Sequence, residues 1–400
     1  MKNKNVLLLL FCIISFTFIT IALIPHESFA YDVGDTVDIT PIIEEALDGT
    51  DLSPWQKFVS GNELFADITD NSQSVPEYLK KLIKGEAVLS FDGFINALFS
   101  RFISSVKSHM GLAAILLGIA LICTVLEKFS KSIFKGSISS AASGVLFFSA
   151  VGLIIKGFAE TTATCTDCIN NMSDFTDKTL PILMTFVTAV GNSSSSGILQ
   201  PGILMILELT VKLINCIIIP LLTASAVLST AYNICQQKPY ADISGSVKKL
   251  ADWIIGIMFT LFFGFISIQK LTASALDGAC IKTIKYTLSS FSLYGGSFLS
   301  KSFDIVTGCA VIMKNVLGGT GMIILLSICV SPALELLAVS VVYRISSLFI
   351  SLTGETRISG CLNDIGKIYG TMFLCIMTSA VLFFMLLSVI TAAGNTLAGI

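Results

Sequence analysis

Six runs of apolar residues, separated by polar stretches, constrain this chain more than any other feature. They are Leu112–Leu126, Ala141–Ile155, Ile203–Leu228, Trp253–Ile268, Met322–Val342 and Met372–Ala392. A helix of about 20 apolar residues crosses a bilayer, and shorter runs do so where neighbouring helices shield them. Only 13% of the residues are charged, against roughly 25% in soluble domains. We therefore predict an all-α polytopic membrane protein with about six transmembrane helices in three hairpins.

Loop charges predict the orientation of these hairpins. The three loops assigned to the inner side contain Lys128, Lys131 and Lys135, then Lys238, Lys248 and Lys249, then Arg357 and Lys367, with Arg344 near the membrane edge. The first outer loop is acidic, whereas lysines outnumber acids in the second outer stretch. We expect each hairpin to enter from the extracytoplasmic side of the cell membrane and to return there.

The N-terminus has the pattern of a secretory signal. Lys2 and Lys4 precede the apolar run Val6–Ile24, and Ser28-Phe29-Ala30 places small residues before a cleavage site. This predicts a signal peptide over residues 1–30, cleaved between Ala30 and Tyr31. The run is also long enough to span a bilayer uncleaved. Both alternatives place Tyr31 on the extracytoplasmic side.

Residues 31–108 form an acidic region. From Tyr31 to Ser100 there are thirteen carboxylates and four lysines, a net charge of 4 − 13 = −9. Thr40-Pro41 opens one helix signal, and Ser53-Pro54-Trp55-Gln56 has the spacing of a capping box. We predict a small extracytoplasmic region of short helices over residues 31–108, followed by a multi-span membrane domain over residues 109–400.

The acidic region ends in an amphipathic helix. Phe94, Leu98, Phe102 and Val106 repeat every four residues and form one apolar stripe. The stripe has two interpretations. The helix lies at the membrane interface or on the protein's own bundle, or it is a docking helix for a partner.

Polar residues inside the apolar part are candidates for function because ionisable groups are costly there. Glu208 and Lys212 are four residues apart, which favours an ion pair on one helix face, and we expect that face to point into the bundle. Glu335, Lys314 and Asn315 are the other candidates. Each is interpreted either as part of a translocation path or subunit contact, or as a structural, interfacial or snorkelling residue.

Two shorter segments, Leu180–Val190 and Ile305–Leu317, end in glycine-containing stretches. Each looks too short or too broken for an ordinary span. Paired interrupted segments are typical of half-helices or re-entrant loops around a pathway. The alternative is an amphipathic helix on the outer surface.

A weak repeat links the later hairpins. Ile243-Ser244-Gly245 recurs as Ile358-Ser359-Gly360, 115 residues further on, and Leu221–Ser225 aligns with Leu336–Ser340 at the same offset. Internal duplication and chance both explain matches this short.

Several chemistries are absent from the sequence. There is no phosphate-binding G-x-x-x-x-G-K-[ST] motif and no H-E-x-x-H metal motif. Histidine occurs only at positions 26 and 109, and among eleven cysteines the one close pair is Cys165 and Cys168. The net charge of −2 gives no reason to expect a nucleic-acid surface. We therefore predict no enzymatic activity, no metal and no cofactor.

The order of these features resembles the stage III sporulation protein AE family of endospore-forming Firmicutes. The residues that carry the resemblance are Gly264-Phe265-Ile266-Ser267-Ile268-Gln269, Asp277-Gly278, Lys282-Thr283-Ile284-Lys285, Lys314-Asn315, Val342-Tyr343-Arg344 and Thr391-Ala392-Ala393-Gly394-Asn395. None of them is a catalytic signature.

The resemblance implies a role in sporulation. It implies a multi-pass protein of the mother-cell membrane around the engulfed forespore, within a secretion-like channel complex required for forespore development. It also implies partners, namely a separate ATPase-like subunit and ring-forming membrane proteins, with homo-oligomerisation left open. Two other functions remain compatible with the residues: a stand-alone secondary transporter, or a pore-less scaffold that anchors ring proteins.

Overall fold

The structure, a computed structural model, describes residues 40–60, 62–69, 74–84, 91–133, 137–189, 193–290 and 296–392. The predicted signal peptide and its cleavage site at Ala30–Tyr31 lie outside the described residues. Within these ranges every regular element is a helix. The prediction of an all-α fold is confirmed.

Four short helices come first, and six long helical rods follow. The short ones are α1 (Thr40–Asp48), α2 (Ser53–Val59), α3 (Glu63–Ile68) and α4 (Val75–Ile83). The long ones are α5 (Phe91–Ile133), α6 (Ser137–Ala189), α7 (Ser193–Leu213) continued through a π-helical turn (Ile214–Ile218) into α8 (Ile219–Cys235), α9 (Lys238–Ser290), α10 (Gly296–Thr353) and α11 (Thr356–Ala392).

The long helices pack as the three predicted hairpins: α5 with α6, α8 with α9, and α10 with α11. Gly354 forms the last turn with φ of 97°, a conformation that residues with a Cβ rarely adopt. We call the ends of α8–α9 and α10–α11 that carry these short connections the turn end of the bundle.

Five helices of the described chain are long and apolar enough to cross a membrane: Gly93–Leu126, Ala142–Ala189, Leu204–Cys235, Thr307–Thr353 and Thr356–Thr391. The remaining predicted run, Trp253–Ile268, lies in α9. The protein is therefore a polytopic α-helical membrane protein.

The hairpin α10–α11 forms the centre of the bundle. In the most apolar 18-residue stretch of each helix, 56% of the residues are buried in α10 and 61% in α11. The corresponding values are 17% in α5 and 28% in α6. Because α5, α6, α8 and α9 contact this pair from outside, they leave large apolar side chains exposed, as a lipid-facing helix must.

The two segments predicted to be short or interrupted are continuous parts of long helices. Residues 180–189 complete α6, and residues 305–317 belong to α10. Proline has no N–H to donate to the helical carbonyl four residues earlier. Because Pro181 is exposed, that carbonyl faces outward. Residues 308–318 are all buried, which excludes a helix resting on the outer surface. Neither segment is a half-helix.

Helices α1–α4 pack on the end of the bundle opposite the turn end, and we call these residues, Thr40–Ile83, the cap. Each cap helix contacts α10. The fully buried ring of Trp55 lies 5.8 Å from the ring of Phe175 in α6. The side-chain amide of Asn62 donates to Ser327 Oγ of α10 at 3.1 Å. The acidic N-terminal region therefore rests on the membrane helices rather than standing apart from them.

The predicted start of α2 is confirmed, but not its cap. Ser53 begins the helix without capping it; instead its N–H and Oγ both donate to Asp51 Oδ1, at 3.0 and 2.6 Å. The reason is local. The carboxylate of Asp51, two residues upstream, binds the hydroxyl of Ser53 and holds it away from the third helical N–H.

The amphipathic helix is the first part of α5 and continues into the first span without a break. Phe94 is buried, and Leu98 and Val106 pack against the core. Phe102 is half-buried. The predicted docking residues thus mostly contact this chain's own interior. The exposed apolar residues of this helix are Ile95, Phe99 and Ile103, with Phe99 68% exposed.

Candidate intramembrane polar site

The ion pair predicted between Glu208 and Lys212 forms, with Lys212 Nζ 2.6 Å from Glu208 Oε1. Its side chains are 65% and 68% exposed, so the expectation that this face points into the bundle is wrong. The inward face of α7 is made by Leu207 and Thr210 instead. An i, i+4 pair neutralises itself on one helix face, and so it needs no partner from the interior.

Glu335 joins two helices. Its Oε1 lies 3.9 Å from Nε2 of His109 in α5, and its side chain is 39% exposed. The contact ties α10 to α5 at the edge of the bundle. It does not reach the other predicted residues.

Lys314 and Asn315 lie in the buried stretch of α10, with exposures of 0% and 4%. Both amide atoms of Asn315 are buried without a hydrogen-bond partner among the described residues. Lys314 and Glu335 are 21 residues apart on one helix, or about 31 Å at 1.5 Å per residue. The five predicted residues therefore do not form one site.

A polar cluster that the sequence interpretation missed lies between α8, α9 and α11. Its first half centres on Asp364 of α11. Ser229 Oγ of α8 donates to Asp364 Oδ2 at 2.8 Å, and Lys367 Nζ donates to Oδ1 at 2.7 Å. The bond from Ser229 joins α8 to α11, and the bond from Lys367 balances the charge of the carboxylate within α11.

The second half of the cluster centres on Asp252 of α9. Lys248 Nζ donates to Asp252 Oδ2 at 2.9 Å, and Thr371 Oγ1 of α11 donates to Oδ1 at 3.3 Å. Thr371 follows Lys367 by one helical turn, so the two halves lie along one face of α11. We call the six residues Ser229, Lys248, Asp252, Asp364, Lys367 and Thr371 the α8–α9–α11 cluster.

The local sequence explains the cluster. Lys248 with Asp252 and Asp364 with Lys367 have the i, i+4 and i, i+3 spacing that pairs side chains on a helix. That spacing was a usable signal. It was missed because Lys248 and Lys367 were assigned to inner loops by their charge, whereas α9 begins at Lys238 and α11 at Thr356.

The chemistry of the cluster is that of charge balance. Two carboxylates face two ammonium groups, and each carboxylate also accepts a bond from a hydroxyl. Paired and hydrogen-bonded charges are the form in which ionisable groups are tolerated between membrane helices. In the described part of the chain, no three His, Cys, Asp or Glu side chains are placed to hold a metal ion. The geometry supports helix association.

The cysteines Cys165 and Cys168 are buried in α6. Their sulfur atoms lie 3.8 Å from the carbonyl oxygen of Met372 and 3.9 Å from that of Ile328. Each thiol therefore contacts the backbone of a central helix, and the pair sits where a small apolar side chain is suited to close packing.

An apolar groove lies beside the cluster, between α6 and α8. Its volume is about 570 Å³. Phe158 and Thr162 of α6 face Ala226 and Thr230 of α8 across it, and Ile365, next to Asp364, also lines it. The groove follows from the way α6 packs on α7 but separates from α8.

Comparisons with known proteins agree with one another. The sequence model of the family described as Stage III sporulation protein AE matches residues 73–394. The chain is similar to Stage III sporulation protein AE of Bacillus subtilis (strain 168), with 25% identity over 317 residues, or 79% of each chain. No solved structure matches. The matched range contains α4, all six long helical rods and the whole α8–α9–α11 cluster.

Proposed function

Because the chain belongs to the stage III sporulation protein AE family, and so has a role in sporulation, we propose that it is a non-enzymatic membrane subunit of a secretion-like channel complex. The complex would join the mother cell to the forespore and support forespore development. The subunit would sit in the mother-cell membrane around the engulfed forespore, with the cap on the extracytoplasmic side.

The observation that carries this proposal is the enclosure of α10 and α11. The chain buries the apolar spans of α10 and α11 within itself and leaves the apolar faces of α5, α6 and α8 exposed. A subunit of a membrane assembly needs such a self-supporting centre together with free lateral faces for its neighbours. The exposed face of α5 and the groove between α6 and α8 supply those lateral faces.

The alternative of a stand-alone transporter loses the two features that favoured it. Glu208 and Lys212 lie on the outside of the bundle rather than along an inner path. The segments for which paired half-helices were one of two interpretations are continuous parts of α6 and α10. Discontinuous helices around a central site are what such transporters use.

The proposed partners are a separate ATPase-like subunit and ring-forming membrane proteins. Two considerations support them. The sequence has no phosphate loop of its own, so energy would come from another chain. The cap presents the exposed acidic residues Glu45, Asp48 and Asp51 at the end of the bundle where an extracytoplasmic ring would lie.

A deletion in the native host tests the proposal. We expect development to stop after engulfment, and a second copy of the gene at another locus to restore it. Affinity purification of the full-length chain from sporulating cells should recover other sporulation membrane proteins. Normal spores after deletion would contradict the role in forespore development, and recovery of the chain alone would favour the transporter.

A further inference from the structure

The central helix α10 reaches the surface near the turn end. Residues 308–318 are all buried. Within the described part of α10, the large exposed apolar side chains are Ile345, Leu348, Phe349 and Leu352. Their spacing of three and four residues puts them on one face of the helix, and we call these four residues the α10 stripe. Leu348 and Leu352 are 67% and 83% exposed, so this chain leaves the stripe uncovered.

Arg344 adjoins the stripe, because it lies four residues before Leu348 on the same face of α10. Its side chain is half-buried, and its Nε is buried without a hydrogen-bond partner. Among the described residues, no carboxylate forms an ion pair with its guanidinium group. A charge in the apolar part of a membrane helix is costly unless it is paired. This site therefore calls for an anion from outside the chain.

Two glycines of α11 make room for the Arg344 side chain. A Cβ on Gly366 would lie 3.1 Å from Cγ of Arg344, and a Cβ on Gly370 would lie 3.0 Å from its Nη2. Gly370 is one helical turn further from the turn end than Gly366. The guanidinium group thus extends away from the turn end, in the direction that helical side chains favour. It does not snorkel toward the turn end.

The depth of Arg344 decides which anion can reach it. Arg344 lies ten residues before Gly354, or about 15 Å from the turn. The exposed side chain of Leu352 keeps the helix surface apolar almost as far as that turn. A lipid phosphate would have to pass the whole α10 stripe to reach the guanidinium group. A carboxylate on a membrane helix is held at its depth by the helix, and arginine binds carboxylates through two parallel N–H···O bonds.

From these observations we infer that Arg344 and the α10 stripe bind a transmembrane helix of another membrane protein, and that this helix carries an Asp or Glu that pairs with Arg344. The stripe supplies the apolar packing against the partner helix. The ion pair fixes the register of the two helices, because any other register leaves a charge buried without a partner.

The carboxylates of this chain favour a different protein over a second copy as the partner. Asp252, Asp364, Glu160 and Glu208 each already pair with a lysine of the same helix. A partner with a free carboxylate forms the contact without breaking such a pair. The inference names a contact of the proposed membrane subunit, and in this respect it rests on the proposed function.

Photo-crosslinking of the full chain in sporulating cells tests the contact. A photoreactive phenylalanine analogue replaces Phe349 or Leu352, and Val227, an exposed apolar residue of α8, is the control position. We expect both stripe positions to attach to one other protein, through a membrane helix that contains Asp or Glu. Adding Arg344→Met should lower this product at least about tenfold and leave any product from Val227 unchanged.

Crosslinking to lipid alone, crosslinking to a second copy, or a partner helix without a carboxylate would each overturn the inference. So would a product that Arg344→Met does not reduce. Affinity purification separates this failure from that of the proposed function. If sporulation membrane proteins are recovered equally with the unchanged chain and with Arg344→Met, the proposed function stands and the inference fails. If the unchanged chain is recovered alone, both fail.

The stability of the purified full-length chain gives a second readout. Because the guanidinium group has no partner within the described chain, Arg344→Met should leave the Tm in detergent unchanged or raise it. Lys128→Met, which removes an exposed cation, is the matched control and should alter neither the Tm nor the crosslinked product. A lower Tm for Arg344→Met would show that the guanidinium group stabilises this chain itself, contrary to the inference.

Discussion

Ser347 and Ser359 exchange hydrogen bonds across the α10–α11 hairpin. Ser347 Oγ donates to the carbonyl oxygen of Ser359 at 2.8 Å, and Ser359 Oγ donates to that of Ser347 at 2.9 Å. Ser225 and Ser244 make the same reciprocal contact between α8 and α9, at 3.1 and 2.9 Å. Both pairs are buried, so each clasps its hairpin a few turns from the turn end.

Replacing a serine of either clasp should therefore weaken its hairpin. We expect Ser347→Ala and Ser359→Ala each to lower the free energy of unfolding by about 1 kcal/mol. The double variant should lose less than the sum, because the two bonds share one contact. Thermal unfolding in detergent measures this. Ser351→Ala is the matched control, since its exposed hydroxyl bonds only within its own helix.

Two adjacent glycines on α10 should respond to alanine in opposite ways. A Cβ on Gly318 would collide with the side chain of Thr391, with Cγ2 at 2.7 Å, whereas a Cβ on Gly319 would meet nothing within 4 Å. Gly318→Ala should destabilise the chain by about 1–3 kcal/mol. Gly319→Ala should stabilise it by roughly 0.5–1 kcal/mol, because glycine costs more entropy in a helix. Thermal unfolding that ranks the two variants the other way would contradict the α10–α11 packing.

Burial raises the pKa of Tyr78 to about 12. The unfolded chain releases this proton near pH 10 and the folded chain keeps it, so the contribution to stability is intact below pH 10 and falls between pH 10 and 12. The loss should reach about 1.4 kcal/mol per pH unit. Tyr78→Phe should remove this contribution to the loss of stability at alkaline pH. Near pH 7 it should cost less than about 0.5 kcal/mol, because the hydroxyl has no partner in the described structure. Parallel melts of both chains from pH 8 to 11.5 provide the comparison.

The α8–α9–α11 cluster should respond to loss of one charge. Asp364→Asn keeps the shape of the side chain but leaves Lys367 without its carboxylate. We expect a loss of about 1–2 kcal/mol, reduced from that of a fully buried pair because Lys367 is 43% exposed. Glu160→Gln is the control. Its pair with Lys156 is 3.9 Å apart and mostly exposed, so its loss should stay below about 0.5 kcal/mol.

The pair Glu208 and Lys212 should be dispensable. Substituting both by leucine removes an exposed i, i+4 pair, whose contribution to stability is small, and leaves the bundle interior unchanged. We expect normal membrane insertion and normal spore formation in a complementation assay. Loss of spores together with intact assembly would place a transport path along this face and favour the transporter.

Hydropathy predicted much of the fold. The apolar runs located the six long helical rods, and their order along the chain predicted the hairpins. Hydropathy wrongly separated Leu180–Val190 and Ile305–Leu317 from the long helices, because it compares the length of each apolar run with the thickness of a bilayer. Helices α6 and α10 are longer than that thickness, and residues 308–318 of α10 are buried by packing. Such burial depends on packing between distant segments, which hydropathy does not register.

The Ile-Ser-Gly repeat had structural meaning that the sequence alone could not assign. Ser244 and Ser359, 115 residues apart, occupy equivalent places in the two clasps. Their partners Ser225 and Ser347 are 122 residues apart, so the upstream alignment of Ser225 with Ser340 does not match the contacts. The seven-residue difference adds about one helical turn to each arm of the α8–α9 hairpin.

The bond between Asn62 and Ser327 joins residues 265 positions apart, and this separation has a consequence for biosynthesis. The first helices to leave the ribosome lack their docking site until nearly the whole chain has been made. They cannot dock on α10 while the helices between the cap and Ser327 are being inserted, and during that time the apolar side chains that pack on α10 are uncovered. This region therefore docks late, and until then it is open to chaperones, proteases or premature association.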